Sequence, residues 1–290
     1  MRTEKEMMDF ILAFAEENDC VRAVIMNGSR VNPEAPRDIF QDYDIVFFVT
    51  SVAAFVEDRS WIERFGELII MQTPDEMDGE WMRPLQRFAF LMQFTDGNRI
   101  DLTFCAADSM DTLSRDSLSK LLLDKDGSIE PFAEPSNSDY LTKPPTAAEF
   151  AACCNEFWWV STYIAKGLWR RELSYAKFMY ERPVRDMLVR MLQWHIGIRT
   201  GFTADSGKCG KYFEQWLEPR LWEAFVRTYP DGDYDHIWEG LETMCGLFRE
   251  TAKEVAQYGG FAYNVQEDER VSAHLAHVRQ LPQDAAAIYE

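Results

Sequence analysis

Between residues 3 and 18 the apolar side chains Met7, Phe10, Ile11, Phe14 and Ala15 fall at helical spacing among charged residues, which predicts an amphipathic helix. The period then changes. VRAVIMN (21–27) is a short apolar run that stops at Gly28, IVFFVT (45–50) is apolar at nearly every position, and ELIIMQT (67–73) is a third such run. Runs of this length and composition predict strands, and the unbroken apolarity of 45–50 predicts one that is covered on both faces. FAFLMQF (88–94) and RIDLTFCA (99–106) flank Thr95-Asp96-Gly97-Asn98, and Asp-Gly between two apolar runs predicts a hairpin. The first half is therefore expected to be a mixed sheet with a few helices, closing near LLLDKDG (121–127).

A polar, proline-bearing stretch follows, EPFAEPSNSDYLTKPPT (130–146), of the kind that links domains or wraps between them. Beyond it the period is helical throughout. Thr146 with Glu149 three residues on is a capping box opening a long helix over 147–173, and further helices are expected near 177–198, 211–229 and 234–257, with one more helix or a tail at the end. The fold class expected is α/β (α+β): a sheet-bearing domain at 1–130, a linker at 131–146 and an all-helical domain at 147–290.

Charge narrows the function classes. The chain carries 49 Asp and Glu against 30 Lys and Arg, a formal net charge of −19, which repels nucleic acid and attracts cationic small molecules. No run approaches the roughly 18 apolar residues of a membrane span, and the N-terminus lacks the uninterrupted apolar core of a signal peptide. The six cysteines show neither a C-x-x-C pair nor zinc spacing and read as free thiols of a reducing cytoplasm.

Within this frame one stretch is out of character. In NGSRVNPEAPRDIFQDYDIVFFVT (27–50), twelve residues separate Gly28-Ser29 from Asp42 and Asp44, which open a strand otherwise destined for burial. Strand side chains alternate, so the two aspartates share a face and Tyr43 takes the other. Two carboxylates side by side repel unless a cation lies between them, and their hard oxygens suit Mg²⁺. Asp101 interrupts the apolar run 99–106; if that strand lies beside 42–48, three carboxylates converge, enough for two metal ions in an in-line displacement at phosphorus. The Gly28-Ser29 turn, between a strand and an expected helix, offers backbone N–H groups to phosphate oxygens.

The ordered set, Gly-Ser, a gap of about a dozen residues and then Asp-x-Asp, is similar to that of the nucleotidyltransferase superfamily of DNA polymerase beta. Within it, NGSR, FQDYDIVFFVT, RFGELIIMQ, FTDGNRIDLTF, LLLDKDG, CCNEFWWVSTYIAKGLWRREL, WHIGIRTGF and LFRETAKEVA resemble the aminoglycoside 6-adenylyltransferases, the streptomycin-modifying resistance enzymes. The resemblance runs over most of the chain. It implies a nucleotidyltransferase fold and transfer of AMP from Mg·ATP to a streptomycin hydroxyl with release of pyrophosphate. It also implies that Asp42 and Asp44 are the metal-binding acids, Asp101 the third acid, and Gly28 and Ser29 the phosphate-binding turn, with Arg30 beside them. Lys166, in YIAKGLWR, resembles the phosphate-facing lysine in the helical domain of the kanamycin nucleotidyltransferases. Those enzymes carry a glutamate base one turn earlier, where this chain has Thr162, so Asp101 is the first choice of base. A different aminoglycoside, aminocyclitol or protein hydroxyl as acceptor stays open, as does a catalytically inactive nucleotide-binding protein.

Overall fold

The computed structural model describes residues 1–77, 85–112 and 115–289. Its chain forms two units, Met1–Asp139 and Tyr140–Glu290. In the first, helix α1 (Glu4–Glu17) starts at Thr3, whose side chain and Glu6 cap one another's backbone N–H groups. Its buried stripe of Met7, Ile11, Phe14 and Ala15 is the one the spacing predicts. Phe14 lies parallel to Phe47 of the sheet at 5.7 Å between ring centroids and meets Trp61 and Phe65 at tilted angles, which anchors the helix over the sheet.

Among the described residues six strands form one mixed sheet: β1 (Val21–Asn27), β2 (Tyr43–Val49), β3 (Leu68–Gln72), β4 (Arg87–Phe94), β5 (Arg99–Ala106) and β6 (Ser119–Asp124), in the order β3-β4-β5-β2-β1-β6. Short helices α2 (Val52–Glu57) and α3 (Pro74–Met77) lie between strands. Strand β2 is central, antiparallel to β1 and parallel to β5. Its residues Ile45, Phe47, Phe48 and Val49 are buried, which explains why this segment is apolar on both faces.

One local expectation changes. The helix expected after Gly28-Ser29 is a single 3₁₀ turn, Gly28–Arg30. The left-handed φ of +77° at Gly28 is not helical, and Pro33 and Pro36 just beyond disfavour helical geometry in the residues before them. The sheet region closes near 121–127 as expected, its last strand β6 (Ser119–Asp124) pairing with β1. The polar stretch before the second unit is bound to the first as far as Asp139. The Ser136 N–H donates to the Ser117 carbonyl, the Ser117 N–H to Asp139, and the Asn137 amide to Glu34 at 2.6 Å.

The second unit contains no strand among its described residues. Its helices are α4 (Ala147–Trp169), α5 (Leu173–Met179), α6 (Arg185–Thr200), α7 (Phe213–Trp216), α8 (Pro219–Arg227), α9 (Tyr234–Gly259) and α10 (Val265–Gln280). The Thr146/Glu149 capping box forms. A π turn at Tyr180–Val184, containing Pro183, joins α5 to α6. Phe157 stacks on Phe248 at 3.7 Å and Trp158 meets both edge-on, so these aromatics belong to the core while Trp159 stays exposed. No helix of the described residues is long and apolar enough to cross a membrane.

Candidate active site at the mouth of the sheet

The backbone at the start of β2 is fixed from below. Tyr43 points into the core, and the Arg30 guanidinium lies 3.6 Å from its ring centroid. From there Arg30 donates to the carbonyls of Asp42 and Gln41 at 2.9 and 2.6 Å, and the Gln41 side-chain amide donates to the Ser29 carbonyl. Arg30 is 9% exposed and also pairs with Glu4 at 3.5 Å. The Arg30 fork is used inside the protein, binding the Gly28–Arg30 turn to the strand mouth and so positioning Asp42. Nothing in the sequence separates a buried arginine in a polar loop from an exposed one.

Gly28 ends β1, its N–H donating to the Leu118 carbonyl at 3.0 Å. A Cβ on Gly28 would stand 2.2 Å from Oδ2 of Asp44, so the Asp44 carboxylate lies where any side chain would be. Ser29 is half-buried in the same turn. The neighbouring Asn27 accepts a hydrogen bond from the Ser119 hydroxyl at 2.7 Å, which ties the end of β1 to β6.

Strand pairing assembles the acids. In the parallel β2–β5 register Asp44 lies opposite Asp101, and in the antiparallel β1–β2 register it lies opposite Asn27. The ligand oxygens of Asp42, Asp44 and Asp101 all lie within 4.8 Å of one another. Burial, then the charges of Asp42 and Asp101, push Asp44 up to about 7, with Arg99 opposing. Three hard oxygen donors crowded around one point, one of them resisting ionisation, form a donor set that fits a divalent cation.

Sequence reasoning missed Arg99. Its guanidinium holds both oxygens of Asp101, at 2.8 and 2.7 Å, and lies 3.8 Å from Asp42. The available signal was its position two residues before Asp101, which puts both on one strand face. Lys166 is exposed on α4 in the second unit, its Nζ 4.9 Å from the Tyr163 ring centroid. It lines a cavity of about 370 Å³ with Tyr163, Trp169, Arg170 and His274. Acidic residues elsewhere in the second unit have partners there: Asp233 caps α9, Asp231 meets His236, and Glu181 pairs with Lys177 and Arg185.

The raised Asp44 gives a pH prediction. An unfolded aspartate ionises near pH 4, whereas folded Asp44 keeps its proton to about 7, so its stabilising contribution is complete below the lower value and is lost as pH rises through the upper one. In metal-free buffer Asp44→Asn should melt close to wild type at about pH 4 and several degrees above it by about pH 8. A difference in melting temperature independent of pH would refute this.

A mixed sheet that offers two acids at one strand's mouth, a third from its parallel neighbour and a Gly-Ser turn beside them is the constellation of a nucleotidyltransferase. The chain matches the streptomycin adenylyltransferase family over residues 1–278 and belongs to that family, as its motifs imply. A protein named aminoglycoside 6-adenylyltransferase from Campylobacter jejuni is 41% identical over 277 residues, with 95% of each chain covered. Its namesake from Bacillus subtilis (strain 168) is 41% identical over 271 residues, covering 91% of this chain and 93% of the relative. The crystal structure of an aminoglycoside 6-adenyltransferase from Bacillus subtilis aligns with a TM-score of 0.48 at 35% identity, covering 97% of this chain and all of that one.

Proposed function

We propose that the protein transfers AMP from Mg·ATP to a hydroxyl of streptomycin, releasing pyrophosphate and conferring resistance to the antibiotic. The observation that carries this is the convergence of Asp42, Asp44 and Asp101 within 4.8 Å, in a chain that belongs to the streptomycin adenylyltransferase family. Relatives covering more than nine-tenths of the chain are named for 6-adenylylation of aminoglycosides, and the acidity of the chain suits a polycationic acceptor.

Asp42, Asp44 and Asp101 would hold two divalent cations, which when bound supply charge neutralisation at the phosphates and polarise the attacking hydroxyl. The chain's own groups do the rest. The Ser29 N–H and hydroxyl donate to phosphate oxygens, while the Gly28 N–H is used by the Leu118 carbonyl and Arg30 keeps that turn and Asp42 in fixed relation. Asp101 takes the proton of the acceptor hydroxyl. Most of the rate enhancement in such a site comes from positioning and charge neutralisation.

The direct test is mass spectrometry of streptomycin after incubation with the protein, ATP and Mg²⁺, alongside a panel of other aminoglycosides and aminocyclitols. Streptomycin should gain one AMP unit. AMP on a different member of the panel alone would move the acceptor assignment, and no adduct on any acceptor would refute the reading.

A further inference from the structure

The acid trio has a counter-ion of its own. Arg99, the first residue of β5, grips Asp101 through a two-point fork, Nε to Oδ1 at 2.8 Å and Nη2 to Oδ2 at 2.7 Å. The same Nε lies 3.8 Å from Oδ2 of Asp42. Among the described residues no other cation forms an ion pair with the three acids.

The backbone beneath Arg99 is braced by hydrogen bonds, while its head lies at the solvent boundary. Asp96 accepts from the Asn98 N–H and side-chain amide at 3.0 and 2.9 Å and from Arg2 Nε at 2.7 Å, and Asn98 is 2% exposed. The Arg99 side chain is 46% exposed. Its place in the sheet is set, and its guanidinium is held at the solvent boundary by carboxylates.

A divalent cation held by all three acids and a guanidinium forked onto one of them bring like charges into the same few ångströms. The fork also matches a phosphate as well as it matches a carboxylate. We propose that Arg99 is an exchangeable counter-ion: free divalent cation must compete with it for Asp101, whereas a metal–nucleotide complex brings phosphates that give the displaced guanidinium a new partner. Arg99 thereby disfavours loading by metal alone and favours loading by metal with nucleotide. This rests on the assignment of the trio as the metal site.

The test is Mn²⁺ binding to the full chain, followed by electron paramagnetic resonance, without nucleotide and with the non-transferring analogue α,β-methylene-ATP. Without nucleotide, Arg99→Gln should bind Mn²⁺ roughly 3- to 10-fold more tightly than wild type, and Arg99→Lys, which keeps the charge, should stay within about twofold of it. With the analogue, the advantage of Arg99→Gln should vanish or reverse. A purely structural arginine would not give this change of sign. Wild-type or weaker Mn²⁺ affinity in Arg99→Gln, or the same gain with and without the analogue, would overturn the proposal. If wild type binds Mn²⁺ and Asp44→Asn does not, the metal assignment stands whatever Arg99 does; if wild type fails to bind, both fall.

Discussion

Asp44→Asn should lower turnover by about a thousandfold or more, equivalent to about 4 kcal/mol of transition-state stabilisation, while the protein stays folded. Asparagine has the size of aspartate, so it fits against Gly28 as Asp44 does and leaves the β2–β5 register undisturbed. What it removes is the charge of the trio's central member, which faces Asp101 across one strand pair and Asn27 across the other. It should also abolish Mn²⁺ binding, because Asp42 and Asp101 alone leave the cation one hard anionic ligand short. Steady-state kinetics, metal titration and circular dichroism together check this. Near-normal turnover in a folded variant would end the catalytic assignment.

Gly28→Ala comes second in size and acts through space alone. Alanine brings no charge, yet its Cβ would stand 2.2 Å from Oδ2 of Asp44, closer than any real contact, at a φ of +77° that L-residues avoid. The backbone conformation costs on the order of 1 kcal/mol. The clash must be relieved by moving either Asp44 or the turn, and both belong to the site. The expected result is a fall of about a hundredfold in kcat/KM with a drop of a few degrees in melting temperature. Gly246→Ala is the control, since its Cβ would meet nothing within 4 Å. Equal activity in the two variants would show that Asp44 and the turn tolerate rearrangement.

Why these residues were legible in the sequence, and others not, follows from the range of the forces that place them. Strands β1, β4 and β5 were readable because alternation, apolar runs and an Asp-Gly turn are local, and the convergence of Asp42, Asp44 and Asp101 needed only the further guess that β5 lies beside β2. The turn at Gly28–Arg30 was misread as opening a helix, because nothing local shows that Gly28 takes a left-handed φ or that the Asp44 carboxylate, sixteen positions on, lies where its side chain would be. The internal partners of Arg30 were not legible, because a loop arginine carries no sign of the aromatic ring and carbonyls that will enclose it. LLLD at 121–124 gave no hint of joining β1, a pairing across nearly a hundred residues. In the second unit helical period sufficed for most elements, but the π turn at Tyr180–Val184 broke one predicted helix into α5 and α6.

The parallel contact between β2 and β5 joins segments more than fifty positions apart, with β3, β4 and their connections in between. A one-residue slip in that pairing would send Asp101 to the opposite side of the sheet and bring Ile100 or Leu102 among the carboxylates. Divalent ions can therefore recognise only the correctly threaded chain. Their binding energy would be withheld from collapsed species along the folding route and granted at the last closure, so that a divalent ion would act as a late inspector of the sheet rather than as its scaffold.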